Sequence, residues 1–169
     1  MKINLVIQSY IDLINQLVIH LNRIPLDAYS EKLSSFDGAT IGEHVRHIYN
    51  FPECLLNGVQ TGKINYDKRI RDAKLEVKRD YAVFSLLEQC NYILNLEHYE
   101  DMPLLLETTF GERMTTNLKR ELHYIIEHTT HHMAILRFGI KINFPDLEID
   151  DSFGYAKSTL EYKELQMNK

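Results

Sequence analysis

Histidines are crowded into two short segments of this chain. Eight occur among 169 residues, and six of them fall within residues 44–47 and 123–132. That is far more than a uniform distribution would place there. Imidazole nitrogens bind transition metals and exchange protons near neutral pH, so these segments are the part of the sequence best suited to chemistry.

The second segment contains a histidine pair with the spacing of one helical turn. His128 and His132 lie four positions apart, so on a helix they stand about 40° apart on one face and can share one metal ion. Without a third ligand, this spacing is equally consistent with a metal-binding pair and with two interior histidines that only form hydrogen bonds. A metal site needs a third ligand, and the first segment offers His44 and His47. Periodicity slightly favours His44, which lies nearer the apolar face of its helix.

Three neutral imidazoles without a thiolate or carboxylate would leave coordination positions open on a divalent ion. Such an open site is typical of reactive metal centres rather than purely structural ones. Imidazole ligands suit Zn, Ni or Fe, and the sequence does not choose among them.

Glu121 and Tyr124 are the candidate catalytic residues beside this pair. Glu121 shares the face of His128 and His132 two turns earlier, and Tyr124 lies one turn before His128. Either could move a proton to or from a metal-bound group. The alternatives are that Glu121 only orients a ligand imidazole and that Tyr124 only packs. His131 is a further candidate on a more exposed side.

Long amphipathic helices must position these residues. Apolar side chains recur at helical spacing over residues 3–21. Thr40 and Glu43 match a capping box, which starts a second helix at Ile41 and carries it to about Val59.

Two further helices are predicted in the second half of the chain. Asp80 is the expected cap of the third, whose predicted buried side consists of Val83, Phe84, Leu86, Leu87, Ile93 and Leu94. The fourth runs over residues 118–138 and ends at Gly139. Its apolar stripe is Leu118, Leu122, Ile125, Thr129, Met133 and Leu136.

The connections between the helices complete the predicted architecture. Residues 61–79 are polar and irregular, which indicates a long crossover, and residues 104–116 predict a β-hairpin with Gly111 in its turn. We therefore expect residues 1–169 to form one all-α domain, a four-helix bundle with long crossover connections. The hairpin before helix 4 is expected to be an appendage, and a short terminal helix is predicted near Ser158.

Bulk composition excludes several function classes. The net charge of −5 gives no overall attraction to nucleic acid or anionic membranes. No stretch is apolar enough to span a membrane. We therefore expect a cytoplasmic protein that binds neither nucleic acid nor membranes. The two cysteines, Cys54 and Cys90, are expected to be buried free thiols. His20, His98 and His123 have no partners in sequence and are predicted to be surface or capping residues.

Two segments resemble motifs of a known family. T-I-G-E-H-V-R-H-I (40–48) and E-L-H-Y-I-I-E-H-T-T-H-H-M-A-I-L (121–136) are similar to those of the DinB/YfiT-like metalloenzymes, helical bundles that bind one metal ion through three histidines. The segments N-Y-D-K-R-I-R-D (65–72) and F-G-Y-A-K-S-T-L (153–160) also resemble members of that family. The resemblance implies one divalent metal ion held by His47, His128 and His132, with His44 as the alternative third ligand.

Relatives in that superfamily include transferases and isomerases that use low-molecular-weight thiols. The resemblance therefore implies a small-molecule substrate such as a thiol, a metal-activated thiol or water nucleophile, and a homodimer. Two other functions remain open from the residues themselves. One is a non-catalytic metal-binding or stress-response module, and the other is a metal-free helical interaction protein. The basic segment 63–80 could contact an anionic substrate, but such a charge run is more often a solvent-exposed connection, and we interpret it as one.

Overall fold

Four long helices and a small three-stranded sheet make up most of the computed structural model, which describes residues 3–167. In chain order the elements are α1 (Ile3–Arg23), α2 (Ile41–Thr61), β1 (Lys63–Ile64), α3 (Ala73–Val77), α4 (Arg79–Leu94), β2 (Pro103–Glu107), β3 (Arg113–Asn117), α5 (Leu118–Asn143) and α6 (Lys157–Met167). Short 3₁₀ turns lie at Ala28–Ser30, Ser34–Phe36 and Asn95–His98. None of the helices described here is long and apolar enough to cross a membrane.

The four long helices enclose the hydrophobic core. Both α1 and α2 pack against α4 and against α5. The predicted stripe of α5 is the most completely buried part of that helix, since all six of its members are 0% exposed: Leu118, Leu122, Ile125, Thr129, Met133 and Leu136. The helical period of the sequence therefore predicts correctly which side of α5 faces inward.

The start of α2 is fixed by a capping box, as predicted. The Glu43 amide donates to Thr40 Oγ1 at 3.0 Å, and the Thr40 amide donates to Glu43 Oε2 at 2.8 Å. Two backbone donors at the helix start are thereby satisfied. The helix continues through the buried Pro52 to Thr61. Its first two turns carry both histidines of the first segment.

The crossover after α2 is more ordered than predicted. It contains strand β1 and helix α3, and β1 pairs in parallel with β2, so that Ile64 lies opposite Leu106. The β2–β3 hairpin is confirmed as antiparallel, with Gly111 at φ 80° beside its turn. The expectation of an isolated appendage is wrong, because the hairpin is part of a three-stranded sheet. A two-residue strand is too short to carry an alternating pattern that sequence reasoning could detect.

Helix α4 differs from its prediction in its start and in its buried face. It begins at Arg79 after Lys78, so Asp80 lies in the first turn and is not the cap. Phe84, Leu87 and Leu94 are exposed, whereas the buried residues are Ala82, Leu86, Gln89, Cys90 and Ile93. The buried Gln89 donates to the Tyr49 carbonyl and accepts from the Tyr10 hydroxyl. A polar residue with satisfied hydrogen bonds thus occupies a core position that hydrophobicity does not indicate.

Gly139 does not end α5, which continues to Asn143. The residue is buried inside the helix, where a Cβ atom would lie 1.9 Å from Cε1 of Phe36. A close approach of the Phe36 ring, not a helix terminus, therefore requires glycine here. The predicted terminal helix is present as α6, although none of its residues is buried.

We predict that Gly139→Ala destabilises the protein although alanine favours helix formation. Overpacking against Phe36 costs about 2 kcal/mol, which exceeds the gain of about 1 kcal/mol in helix propensity. Urea unfolding would measure the difference, and Phe36→Leu should restore part of the stability when combined with Gly139→Ala. The neighbouring exposed Phe138→Ala is the control, with an expected effect below about 0.5 kcal/mol. A Gly139→Ala protein more stable than the parent would contradict the packing argument.

Candidate metal centre

Three histidines from two helices converge between α2 and α5. His47 on α2 and His128 and His132 on α5 each place a ring nitrogen within 4.8 Å of the others. Their ring centroids are 4.9 Å apart for His47 and His128, 4.4 Å for His47 and His132, and 4.6 Å for the α5 pair. Within residues 3–167 this is the one such group formed by histidine, cysteine or carboxylate side chains.

The donor atoms suit a divalent transition metal. Imidazole nitrogens bind such ions at about 2.1 Å, which puts tetrahedral ligand atoms about 3.4 Å apart, so small side-chain rotations suffice to close the site. His128 Nε2 supports this fit, because it is buried and has no hydrogen-bond partner in the described chain. An unpaired buried nitrogen is costly to the fold unless something binds it. A set of three imidazoles fits Zn, Ni or Fe.

His44 lies beside this group and contacts one of its members. Its Nδ1 is 3.2 Å from Nδ1 of His132, and its ring packs edge-on against Phe36. In the tautomer in which His132 donates this hydrogen bond, Nε2 of His132 keeps a free lone pair for a metal. The geometry thus groups His47 with the α5 pair and places His44 where it can orient His132.

Burial keeps the three imidazoles neutral. Desolvation, followed by the neighbouring His128, lowers the pKa of His47 from 6.5 to about 4. Desolvation and the nearby His131 and Arg69 lower that of His128 to about 4. The pKa of His132 falls to about 3 through desolvation and the adjacent His47. Because a metal binds the unprotonated ring, the site is ready for a cation at neutral pH.

Glu121 is fully buried and accepts hydrogen bonds from three donors. Its Oε2 accepts from the Tyr66 hydroxyl at 2.6 Å, and its Oε1 accepts from Thr116 Oγ1 at 2.6 Å and from Arg120 Nη1 at 2.8 Å. No histidine is among these partners in the described structure. The carboxylate therefore joins α5 to β3 and to the segment after β1, while its role in proton transfer stays a prediction.

Tyr124 belongs to a group of aromatic side chains beside the histidines, the aromatic wall, which also contains Phe51 and Tyr66. Its ring centroid is 5.9 Å from that of His128 and 5.2 Å from that of Tyr66. The Arg120 guanidinium lies 4.9 Å above the Tyr124 ring. Burial raises the pKa of the hydroxyl, so at neutral pH this group donates a proton rather than accepting one. Its catalytic role also stays a prediction.

Three neighbours of the site are absent from the sequence-based prediction. Phe51 stacks on His128 with ring centroids 3.6 Å apart, and Tyr66 stacks on Phe51 at 5.0 Å. The Arg69 guanidinium lies 5.7 Å from the centre of the Phe51 ring. Phe51 follows His47 by one helical turn, so its spacing could have revealed it. Tyr66 and Arg69 follow strand β1, whose pairing with β2 the sequence does not predict.

The remaining histidines and the cysteines lie outside the group. His98, His123 and His131 are exposed, and both cysteines are buried free thiols as predicted. The prediction for His20 is wrong, because this residue is 1% exposed and stacks on Phe153 at 4.2 Å. Its Nδ1 donates to the Gln16 carbonyl, and its Nε2 accepts from the Asp150 amide. One partner is a backbone carbonyl and the other lies 130 residues away. Neither kind of partner can be recognised from a sequence pattern.

Comparison of the chain with protein-family models, with curated proteins and with solved structures finds no match.

We predict that the metal-free protein loses stability as the pH falls from 6.5 towards 4. Histidine in the unfolded chain has a pKa near 6.5, whereas those of His47 and His128 are about 4 in the fold. The unfolded chain therefore binds more protons in this window, so acid favours unfolding. Melting temperatures between pH 7 and 5 should show a smaller pH dependence in His47→Gln/His128→Gln than in the parent. Imidazole NMR titrations with midpoints near 6.5 for these two residues would contradict the prediction.

We predict that Glu121→Gln destabilises the fold by about 3 kcal/mol, because it removes a buried charge from an arginine and two hydroxyl donors. Chemical unfolding measures this change. Glu127→Gln, at an exposed position of the same helix, is the matched control and should alter stability by less than about 0.5 kcal/mol. Equal effects of the two substitutions would show that the Glu121 contacts contribute little.

Proposed function

We propose that this protein is a metal-dependent enzyme that acts on a small molecule and holds one divalent ion through His47, His128 and His132. One observation carries the proposal. Three half-buried imidazoles from two helices place ring nitrogens within 4.8 Å of one another, and no thiolate or carboxylate joins their group within residues 3–167. Three protein ligands leave coordination positions for a substrate, which is the arrangement of catalytic rather than structural ions.

The proposed reaction class is transfer to or from a thiol, or hydrolysis. A metal bound at this site lowers the pKa of a coordinated thiol or water and so supplies a nucleophile near neutral pH. His44 holds the His132 ring in place through their shared hydrogen bond. Phe51 covers one face of His128 and keeps water away from it. The Tyr124 hydroxyl is the proposed proton donor, since it is half-buried and lies in the same wall.

Family membership, topology and assembly belong to the same proposal. The packing of α1 and α2 against α4 and α5 supports a four-helix bundle of the DinB/YfiT-like type. The sequence resemblance also leads us to propose a cytoplasmic homodimer that uses a low-molecular-weight thiol. Neither a nucleic acid nor a membrane is part of this function.

Metal content tests the first step of the proposal. Untagged protein should contain, or take up on titration, about one divalent ion per chain. His47→Ala, His128→Ala and His132→Ala should each abolish stoichiometric binding, whereas His44→Ala should weaken the affinity by about 10–100-fold because it removes only an orienting contact. His131→Ala is the control, since it removes an exposed histidine next to the group. A parent protein that binds no divalent ion would refute the proposal.

Turnover separates an enzyme from a module that binds metal only for stability. Both should melt at a higher temperature with metal, because an ion at 100 times its dissociation constant adds about 2.7 kcal/mol. We expect only the enzyme to consume a thiol together with an electrophile, or to hydrolyse an activated ester, and to lose this activity in His128→Ala. Metal-dependent stabilisation without turnover of any such pair would support the non-catalytic alternative.

A further inference from the structure

Arg69 is a cation beside the histidine group without a carboxylate partner in the described structure. Two other arginines near the group are paired, Arg46 with Glu76 and Arg120 with Glu121. Arg69 donates from Nη1 to the Tyr66 carbonyl at 2.8 Å. Its Nε is buried and lacks an acceptor among residues 3–167. The Nε and Nη2 edge of the guanidinium is therefore uncommitted.

The position of Arg69 relates it to the histidines. Its guanidinium lies 5.7 Å from the Phe51 ring centre, and Phe51 stacks directly on His128. These distances place the guanidinium within a small molecule's length of the His128 ring. A substrate group held by Arg69 can therefore belong to a molecule whose other end reaches the histidine group.

The chemistry of the free edge selects the ligand. Nε and Nη2 of a guanidinium donate two parallel hydrogen bonds, which match the two oxygens of a carboxylate or phosphate. The backbone contact through Nη1 holds the plane of the group, so less side-chain freedom is lost when an anion binds. A buried donor without an acceptor is also costly, and an oxyanion would remove that cost.

We propose that Arg69 binds an oxyanion group of the substrate, a carboxylate or a phosphate, while the reacting end of the substrate lies at the histidine group. This inference rests on the proposed function and adds the substrate class to it. Most positive residues of the same connection, including Arg71, are exposed, which distinguishes Arg69 from a merely solvated charge run.

A pair of thiols that differ only in charge tests the proposal in cobalt-loaded protein. 3-Mercaptopropionate carries the carboxylate that Arg69 is proposed to bind, whereas 3-mercaptopropionamide lacks the charge. Visible absorption of the thiolate–cobalt complex measures both affinities. We expect Arg69→Gln to reduce the preference for the acid over the amide at least about tenfold, since a hydrogen bond to a charged group is worth at least that factor. Arg71→Gln is the matched control and should leave the preference unchanged.

A second measurement does not depend on metal. The Nε–Hε NMR signal of Arg69, assigned by its absence in Arg69→Gln, should shift saturably when acetate or inorganic phosphate is added to metal-free protein. The tighter of the two anions identifies the substrate group as carboxylate or phosphate. Arg69→Lys should retain weaker anion binding, because it keeps the charge but not the two-point contact.

The outcomes separate the two proposals. Failure to bind cobalt would refute the metal-dependent function, and the NMR titration would still decide the role of Arg69. An acid-to-amide preference that is the same in the parent and Arg69→Gln would overturn the Arg69 proposal while leaving the metal site intact. A signal that shifts with neither anion would overturn it as well.

Discussion

The buried carboxylate of Glu121 is the interaction on which the rest of the site depends. A charge without contact to water costs several kcal/mol unless donors surround it. Its three donors come from different parts of the chain: Tyr66 after β1, Thr116 on β3 and Arg120 on α5. Satisfying one carboxylate therefore fixes the sheet and the crossover against α5. Tyr66 in turn stacks on Phe51, which covers His128.

Burial is accommodated differently at the carboxylate of Glu121 and at the three imidazoles. Three donors stabilise the Glu121 carboxylate, and both of its oxygens accept hydrogen bonds. The three imidazoles have no comparable set of partners, since His132 is hydrogen-bonded only to His44 and Nε2 of His128 has no partner in the described chain. Desolvation and neighbouring titratable groups lower their pKa values. The three rings are therefore unprotonated at neutral pH, and each keeps a nitrogen lone pair that can bind a cation. A metal ion that binds there need not displace a proton at neutral pH.

Local rules predict the helices that carry the three clustered histidines, and non-local pairing determines the rest of the fold. The stripe of α5 and the capping box of α2 depend on residues within one or two turns, so the sequence shows them directly. Ile64 pairs with Leu106, a residue 42 positions later. The same Ile64 packs closely on Gly58 of α2, where a Cβ atom would lie 2.3 Å from Ile64 Cγ1. On α4, the apolar Phe84 is exposed and the polar Gln89 is buried, which is the reverse of what hydrophobicity predicts. Tertiary contacts decide such positions.

The choice between His44 and His47 shows the limit of periodicity as a guide to which histidines cluster. The apolar moment of a helix points to the mean direction of everything it packs against. Helix α2 packs against α3 and β1 as well as against α4 and α5, so that mean direction does not single out α5. A histidine of α2 that joins the pair on α5 must instead point at the flank of α5 that carries His128 and His132. His47 meets both rings there, whereas His44, nearer the apolar face, contacts Phe36 and only one of them. The position of the partner helix, not the amphipathicity of α2, therefore decides which histidine joins the group.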